Sequence, residues 1–245
     1  MTVTISPTQN SPATNSDAQP GMRSAAPPPT PSSTPSAAQA GTSSGQVIPL
    51  RPSAFPSATA LTLARASLRE LEQAFQRGTP PDLDALIGWE FRGINCTPRG
   101  TPPLARLAGI QKFVKGMFRA EDGRVMGYNS PVVQNVLDGR WRTKPSDTEP
   151  KRFGFYDVAP VDATSRDNHY LHALLLDYSK GGNAAWDPTR GLRDYLVQLD
   201  AANPDLFLGK AYYAVGPARL GVGYFVLERF RRGPAELPLR QARLA

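Results

Sequence analysis

The sequence predicts a mainly β protein: an antiparallel β-barrel of about eight strands with one or two flanking helices, preceded by a disordered N-terminal tail. Three observations carry that prediction. The stretch Leu86-Ile87-Gly88-Trp89-Glu90-Phe91-Arg92-Gly93-Ile94-Asn95 alternates as a strand does, with Trp89, Phe91 and Gly93 on one face and Glu90, Arg92 and Ile94 on the other. Strand-like segments then recur almost to the end of the chain: Arg124–Asn129, Val132–Leu137, Arg152–Val158, His169–Ser179, Leu192–Asp200, Leu206–Val215 and Gly221–Phe230. The breaks between them carry turn chemistry, such as Asp138-Gly139, Gly181-Gly182-Asn183 and Gly216-Pro217. Many strands punctuated in this way point to an antiparallel barrel or sandwich rather than a β-α-β fold.

Residues 1–56 hold 11 of the 25 prolines among Ser, Thr, Ala and Gln, with Phe55 as their one aromatic. Such a segment buries too little apolar surface to offset the entropy of ordering, so disorder is expected there. The barrel domain is placed at 57–230, and 231–245 reads as a basic, flexible tail. Ala60 to Arg77 opens the domain as an amphipathic helix, with Leu61, Ala64, Leu68, Leu71 and Phe75 at three- and four-residue spacing. Ser57 or Thr59 caps it, and Gly78 with Pro80-Pro81 ends it. After the first strand comes a Pro/Gly loop, Cys96 to Pro103. Leu104 to Phe118 fits a helix through Leu104, Leu107, Ile110, Val114 and Met117, with Lys112, Lys115 and Arg119 forming a solvated face; from Gln111 onward a strand is the alternative. The final pair of strands forms a β-hairpin around a loop of about five residues, Gly216 to Leu220.

Charge and cysteine content narrow the function classes. The net charge is +7, but residues 82–230 carry 19 Lys/Arg against 17 Asp/Glu, so the surplus lies mostly in the flanks. A basic nucleic-acid-binding face is therefore not expected. The single Cys96 reads as a small hydrophobe at a strand end and excludes a Cys-rich metal site. No stretch approaches the ~20 apolar residues of a transmembrane helix. The N-terminus lacks a basic start followed by an apolar block, and a cytoplasmic location is the expectation.

Catalytic motifs are absent. His169 and His172 are the only histidines, and an offset of three puts them on opposite faces of a strand. Gly209-Lys210 lacks the Gly-rich loop of a phosphate site, and there is no Gly-x-Ser-x-Gly. Glu90 and Glu228 approach each other only if the first and last strands pair. No metal and no cofactor is expected. All eight tyrosines lie within residues 128–224, several beside charged residues, as Tyr212 is beside Lys210. A barrel interior lined by tyrosines and a few cations suits an amphipathic ligand; the alternative is a tyrosine girdle on the outer face.

An N-terminal helix before a first strand bearing Gly88-Trp89, a meander of about eight strands, and a C-terminal hairpin able to close on the first strand resemble the lipocalin and fatty-acid-binding-protein group of β-barrels. The resemblance covers residues 60–230. That group carries Gly-x-Trp where this chain has Gly88-Trp89, and an arginine packed on the tryptophan, for which Arg229 is the candidate. The resemblance implies an internal cavity for a small apolar or amphipathic ligand. The expected ligand-binding residues are Trp89, Phe91, Arg92, Lys210, Tyr212 and Tyr224, with aromatics shaping the cavity and Arg92 or Lys210 holding an anionic head. Strand alternation sets Trp89 and Arg92 on opposite faces, so a bulge is needed for both to point inward. Two alternatives stand beside this: an enzyme using a polar pocket, with Glu90, Lys210 or Glu228 perturbed, and an interaction module with a filled barrel and a Pro-rich binding tail.

Overall fold

The computed structural model describes residues 53–96 and 110–238, all within the unit Ile48–Ala245. Eight strands form a closed antiparallel barrel: β1 (Trp89–Cys96), β2 (Lys112–Ala120), β3 (Val125–Pro131), β4 (Phe153–Pro160), β5 (Leu174–Asp177), β6 (Leu192–Gln198), β7 (Leu206–Val215) and β8 (Ala218–Arg232). Each strand pairs with its sequence neighbours, and β1 closes the barrel by pairing with both β2 and β8. Closure removes the two exposed edges that an open sheet would leave. A two-residue strand, β9 (Glu236–Leu237), runs parallel to the end of β2.

The predicted single helix is two. Ser57 caps α1 (Ala58–Ala64), and Ser67 starts α2 (Leu68–Arg77). Ser67 accepts from the Glu70 N–H while the Glu70 carboxylate accepts from the Ser67 N–H at 2.8 Å, a capping box that fixes the new helix start. Leu71 and Phe75 of α2 are buried against Leu175, Tyr195, Val197, Leu208, Tyr224 and Val226 on the outer wall. The helix pair therefore braces the barrel from outside. A short third helix, α3 (Leu83–Leu86), leads into β1.

Other differences from the sequence reading have local causes. Lys112 onward is strand β2, not helix; residues 104–109 of that expected helix lie outside the described residues. Val132–Leu137 forms no strand: Val132 makes one isolated bridge to Thr143, and the Gln134 side chain takes up the backbone groups of Gln111 and Lys112. Of His169–Ser179, only Leu174–Asp177 is strand; the Asp177 side chain caps a 3-10 turn over Tyr178–Lys180. The last hairpin turns on two residues, Gly216-Pro217, with Gly216 at φ 54°. That positive φ is free of steric cost at glycine, which permits a tighter turn than the expected five-residue loop. Strand β8 runs through Arg231 and Arg232, and Arg231 bonds Glu90 at 2.6 Å and Asp147 at 3.0 Å.

One alternate set of side chains faces the lumen: Phe91, Phe113, Met117, Val125, Tyr156, Val158, Leu174, Leu176, Tyr178, Leu196, Phe207, Phe225 and Leu227 pack as one apolar cluster. Phe113 lies over Gly93, and Phe225 over Gly209, so closely that a Cβ at either glycine would overlap the ring. The wall gives up side chains there so that the rings can lie flat against it. Near one end, Arg229 stacks on Trp89 at 4.6 Å and donates to the Ala85 carbonyl of α3 at 3.1 Å. This is the arginine-on-tryptophan contact for which Arg229 was the candidate.

Candidate functional site

A polar cluster centred on Lys115 interrupts the apolar lumen. In β2, the alternation that turns Phe113 and Met117 inward turns Lys115 inward between them. Its ammonium donates to Asn129 Oδ1 of β3 at 3.0 Å, to Asp194 Oδ2 of β6 at 3.2 Å, and to the Tyr178 hydroxyl. Tyr178 donates to Asp194 Oδ2 at 3.1 Å, and Asn129 Nδ2 donates to Tyr178 at 3.3 Å and to the Gly154 carbonyl at 2.9 Å. Four strands or strand ends thus converge on one nitrogen.

Aromatic faces surround that nitrogen. The ring centroids of Tyr156, Tyr178, Phe225 and Phe113 stand 4.6, 5.0, 5.3 and 5.6 Å from Lys115 Nζ. Each attracts a cation through its negative face. Burial pushes the lysine pKa below its ordinary value, and the Asp194 charge only partly opposes that. Burial likewise raises the Tyr178 and Tyr156 hydroxyls well above the usual tyrosine range, Asp194 adding to both. The Lys115 and Asp194 side chains are 3% and 5% exposed, so the pair carries a substantial desolvation cost. Asn129, Leu192, Ala211, Tyr213 and Gly223 are half-buried, and their strand positions put them on the lumen face toward this end. The cluster therefore lies between a packed apolar floor and the end of the barrel that these half-buried residues line.

The expected ligand-binding residues fall into three places. Phe91 is in the lumen floor, edge-on to Phe207 at 5.5 Å, and Trp89 packs at the floor's outer end under Arg229 and Arg232. Arg92 is on the outer face, paired with Glu228 at 3.1 Å, donating to the Ser53 carbonyl at 3.0 Å and stacked on Phe230. No bulge reverses it. Lys210, Tyr212 and Tyr224 do come together, but outside the wall, under α2. Lys210 bonds Glu72 at 2.7 Å and Tyr170 at 2.6 Å; Tyr170 bonds Tyr212 at 2.6 Å; Tyr224 donates to Glu72. Burial works against the charge on Lys210, but its bonds to Glu72 and the tyrosines outweigh that and raise its pKa. This group clamps helix to barrel.

Glu90 and Glu228 each meet an arginine rather than each other: Glu90 accepts from Arg231 and from Tyr128 at 2.8 Å, on the outer face. Lys112, expected on a solvated face with Lys115, is buried over the Trp141 ring among the carbonyls of Val136, Gly139 and Arg140. Cys96 is buried, and burial pushes its thiol up to about 12, so it is an unreactive hydrophobe at neutral pH. His169 stacks flat on Tyr212, and His172 donates through Nε2 to the Phe75 carbonyl at 3.3 Å. Among the described residues, no three His, Cys, Asp or Glu side chains gather as metal ligands do. An open groove of about 410 Å³ lies at the far end of β2, lined by Arg119, Glu121, Gly123, Glu236 and Leu237. It has no buried polar group comparable to Lys115.

Lys115, Asn129, Tyr178 and Asp194 were not singled out from sequence as a site. The signal was present: read with a period of two, Lys115 stands between Phe113 and Met117 on one strand face. No family model matches the chain, and no curated protein matches it.

Proposed function

We propose that the barrel binds a small amphipathic molecule, with its polar head at the Lys115–Tyr178–Asp194–Asn129 cluster and its apolar part against the lumen aromatics. The observation that carries this reading is the buried charge. A lysine–carboxylate pair in a barrel interior is no cheaper than an apolar filling of the same volume, and strongly perturbed groups of this kind concentrate at functional sites. The resemblance to lipocalins and fatty-acid-binding proteins supports the same reading, through barrel closure by β1 and the Arg229–Trp89 contact.

The charge balance narrows the ligand. Asp194 already compensates the Lys115 ammonium, so a carboxylate head would bring a second anion beside the first. A neutral head, carbonyl or hydroxyl, fits the cluster better than an anionic one. Thermal unfolding of the full chain with decan-1-ol, decan-2-one and decanoate tests this. The neutral ligands raise the midpoint in a concentration-dependent way, decanoate does so less, and the double variant Lys115→Met/Asp194→Leu loses the response. Equal stabilisation of wild type and double variant would place binding elsewhere on the molecule.

A further inference from the structure

We infer that Lys115 is a reactive amine that condenses with the carbonyl carbon of an aldehyde or ketone held in the lumen, forming an imine. This rests on the binding reading above and goes beyond it by assigning a covalent step. The geometry around Nζ carries it. Asp194 Oδ2 at 3.2 Å is a carboxylate able to take a proton, and Tyr178 touches both Lys115 and Asp194, so a proton has a route between nitrogen, phenol and carboxylate. The four aromatic rings within 5.6 Å stabilise a cation at that point whether it is an ammonium or an iminium. They also offer π faces to a conjugated carbonyl compound.

Comparison with the other buried or half-buried lysines sharpens the assignment. Lys112 is held by the carbonyls of Val136, Gly139 and Arg140 and by Asn135, acceptors that cannot remove its proton. Lys210 is fixed as an ammonium by Glu72 and its tyrosines. Lys115 alone of the three combines desolvation, which favours the neutral amine, with an adjacent proton acceptor inside the lumen.

Asp194 takes one proton from the Lys115 ammonium. The freed lone pair attacks the carbonyl carbon, the C=O π pair moves to oxygen, and Asp194 returns the proton to that oxygen, directly or through Tyr178. The nitrogen of the carbinolamine gives up a second proton by the same route to the hydroxyl, which leaves as water while the nitrogen lone pair forms C=N. The ammonium and the carbonyl compound become a protonated imine and one water, and Asp194 ends as it began.

Benzaldehyde with cyanoborohydride tests the inference on the full chain at neutral pH, because reduction traps the imine as an N-benzyl lysine that peptide mapping locates. Lys115 is expected to be benzylated faster than the exposed Lys144, Lys151 and Lys180. Asp194→Asn and Tyr178→Phe are expected to slow Lys115 by roughly a hundredfold, in the range of general acid–base effects, while leaving the exposed lysines unchanged. Loss of folding is distinguished by circular dichroism and by all lysines labelling alike, and Tyr178→Phe, which removes a single oxygen, keeps the test open where Asp194→Asn does not fold. Exposed lysines benzylated while Lys115 stays free would overturn the inference. Benzyl alcohol separates this from failure of the binding reading: if it stabilises the wild type while benzaldehyde leaves Lys115 unmodified, binding stands and the imine falls. If neither compound engages the lumen, both fall.

Discussion

At the scale of single residues, the molecule turns on one lysine that a strand face buries among phenyl rings. Its exchange for methionine leaves Asp194 buried without a counterion, and breaking a buried pair in this way costs about 3–5 kcal/mol. Lys115→Met should therefore lower the denaturant midpoint sharply. Lys115→Met/Asp194→Leu, which removes both charges, should regain most of the loss; a double variant as unstable as the single one would mean that volume, not charge, decides the site. Alternation in β1 was legible in the sequence: Trp89 and Phe91 lie on one side of the wall and Arg92 on the other, as the period of two requires. What alternation leaves open is which side is inside, since a helix packed on the outer wall makes both faces of a strand apolar. Lys210, Tyr212 and Tyr224 illustrate this. Their clustering was legible, but their burial comes from α2 rather than from the lumen.

At the scale of elements, the clamp between α2 and the barrel depends on the Glu72 charge. Burial alone would raise its pKa from 4.5, but bonds from Lys210, Tyr224 and Gln76 hold it at about 2. A depressed carboxylate contributes stability that is present above its unfolded pKa and lost as pH falls through the folded one. The stability difference between wild type and Glu72→Gln should therefore be full at neutral pH and close between about pH 4.5 and about pH 2, measured by denaturation at each pH. A gap independent of pH would show that the ion pair is not what holds the helix. In β7, Gly209→Ala places a methyl group inside the Phe225 ring volume and should cost about 1–3 kcal/mol through overpacking, read from the same denaturation curves. Element boundaries show where sequence signals compete. Ser67 and Glu70 carry the capping box that splits the expected helix, a local signal overridden in the reading by the longer apolar period. Residues 112–118 satisfied a helical stripe through Val114 and Met117 as well as the strand alternation Phe113, Lys115, Met117. Pairing with both β1 and β3, a long-range cause, selects the strand.

At the scale of the whole molecule, the closed antiparallel barrel was legible, because turn chemistry marks most strand ends and each strand pairs with its sequence neighbours; the count of eight agrees only because the expected strand Val132–Leu137 is absent and β2, expected as helix, takes its place. The lumen's polarity was not legible, since it depends on which residues three separate strands and the turn after a fourth bring to one point. The resulting barrel is apolar at its floor, lysine-centred above it, and braced outside by α1 and α2. The proposed ligand is placed at the Lys115 end, where lumen-facing residues remain half-buried, rather than in the floor, where Phe91, Leu196 and Leu227 have no exposed surface. Selective ¹⁵N labelling of the lysine side chains makes that claim directly observable, because each Nζ reports its own surroundings while decan-1-ol is titrated into the full chain. Binding at the Lys115 end predicts a saturable shift of the Lys115 Nζ resonance, with Lys210 and the exposed lysines unmoved. A Lys115 resonance that stays fixed while decan-1-ol stabilises the protein, or a shift confined to Lys210, would contradict it and place the binding outside the lumen.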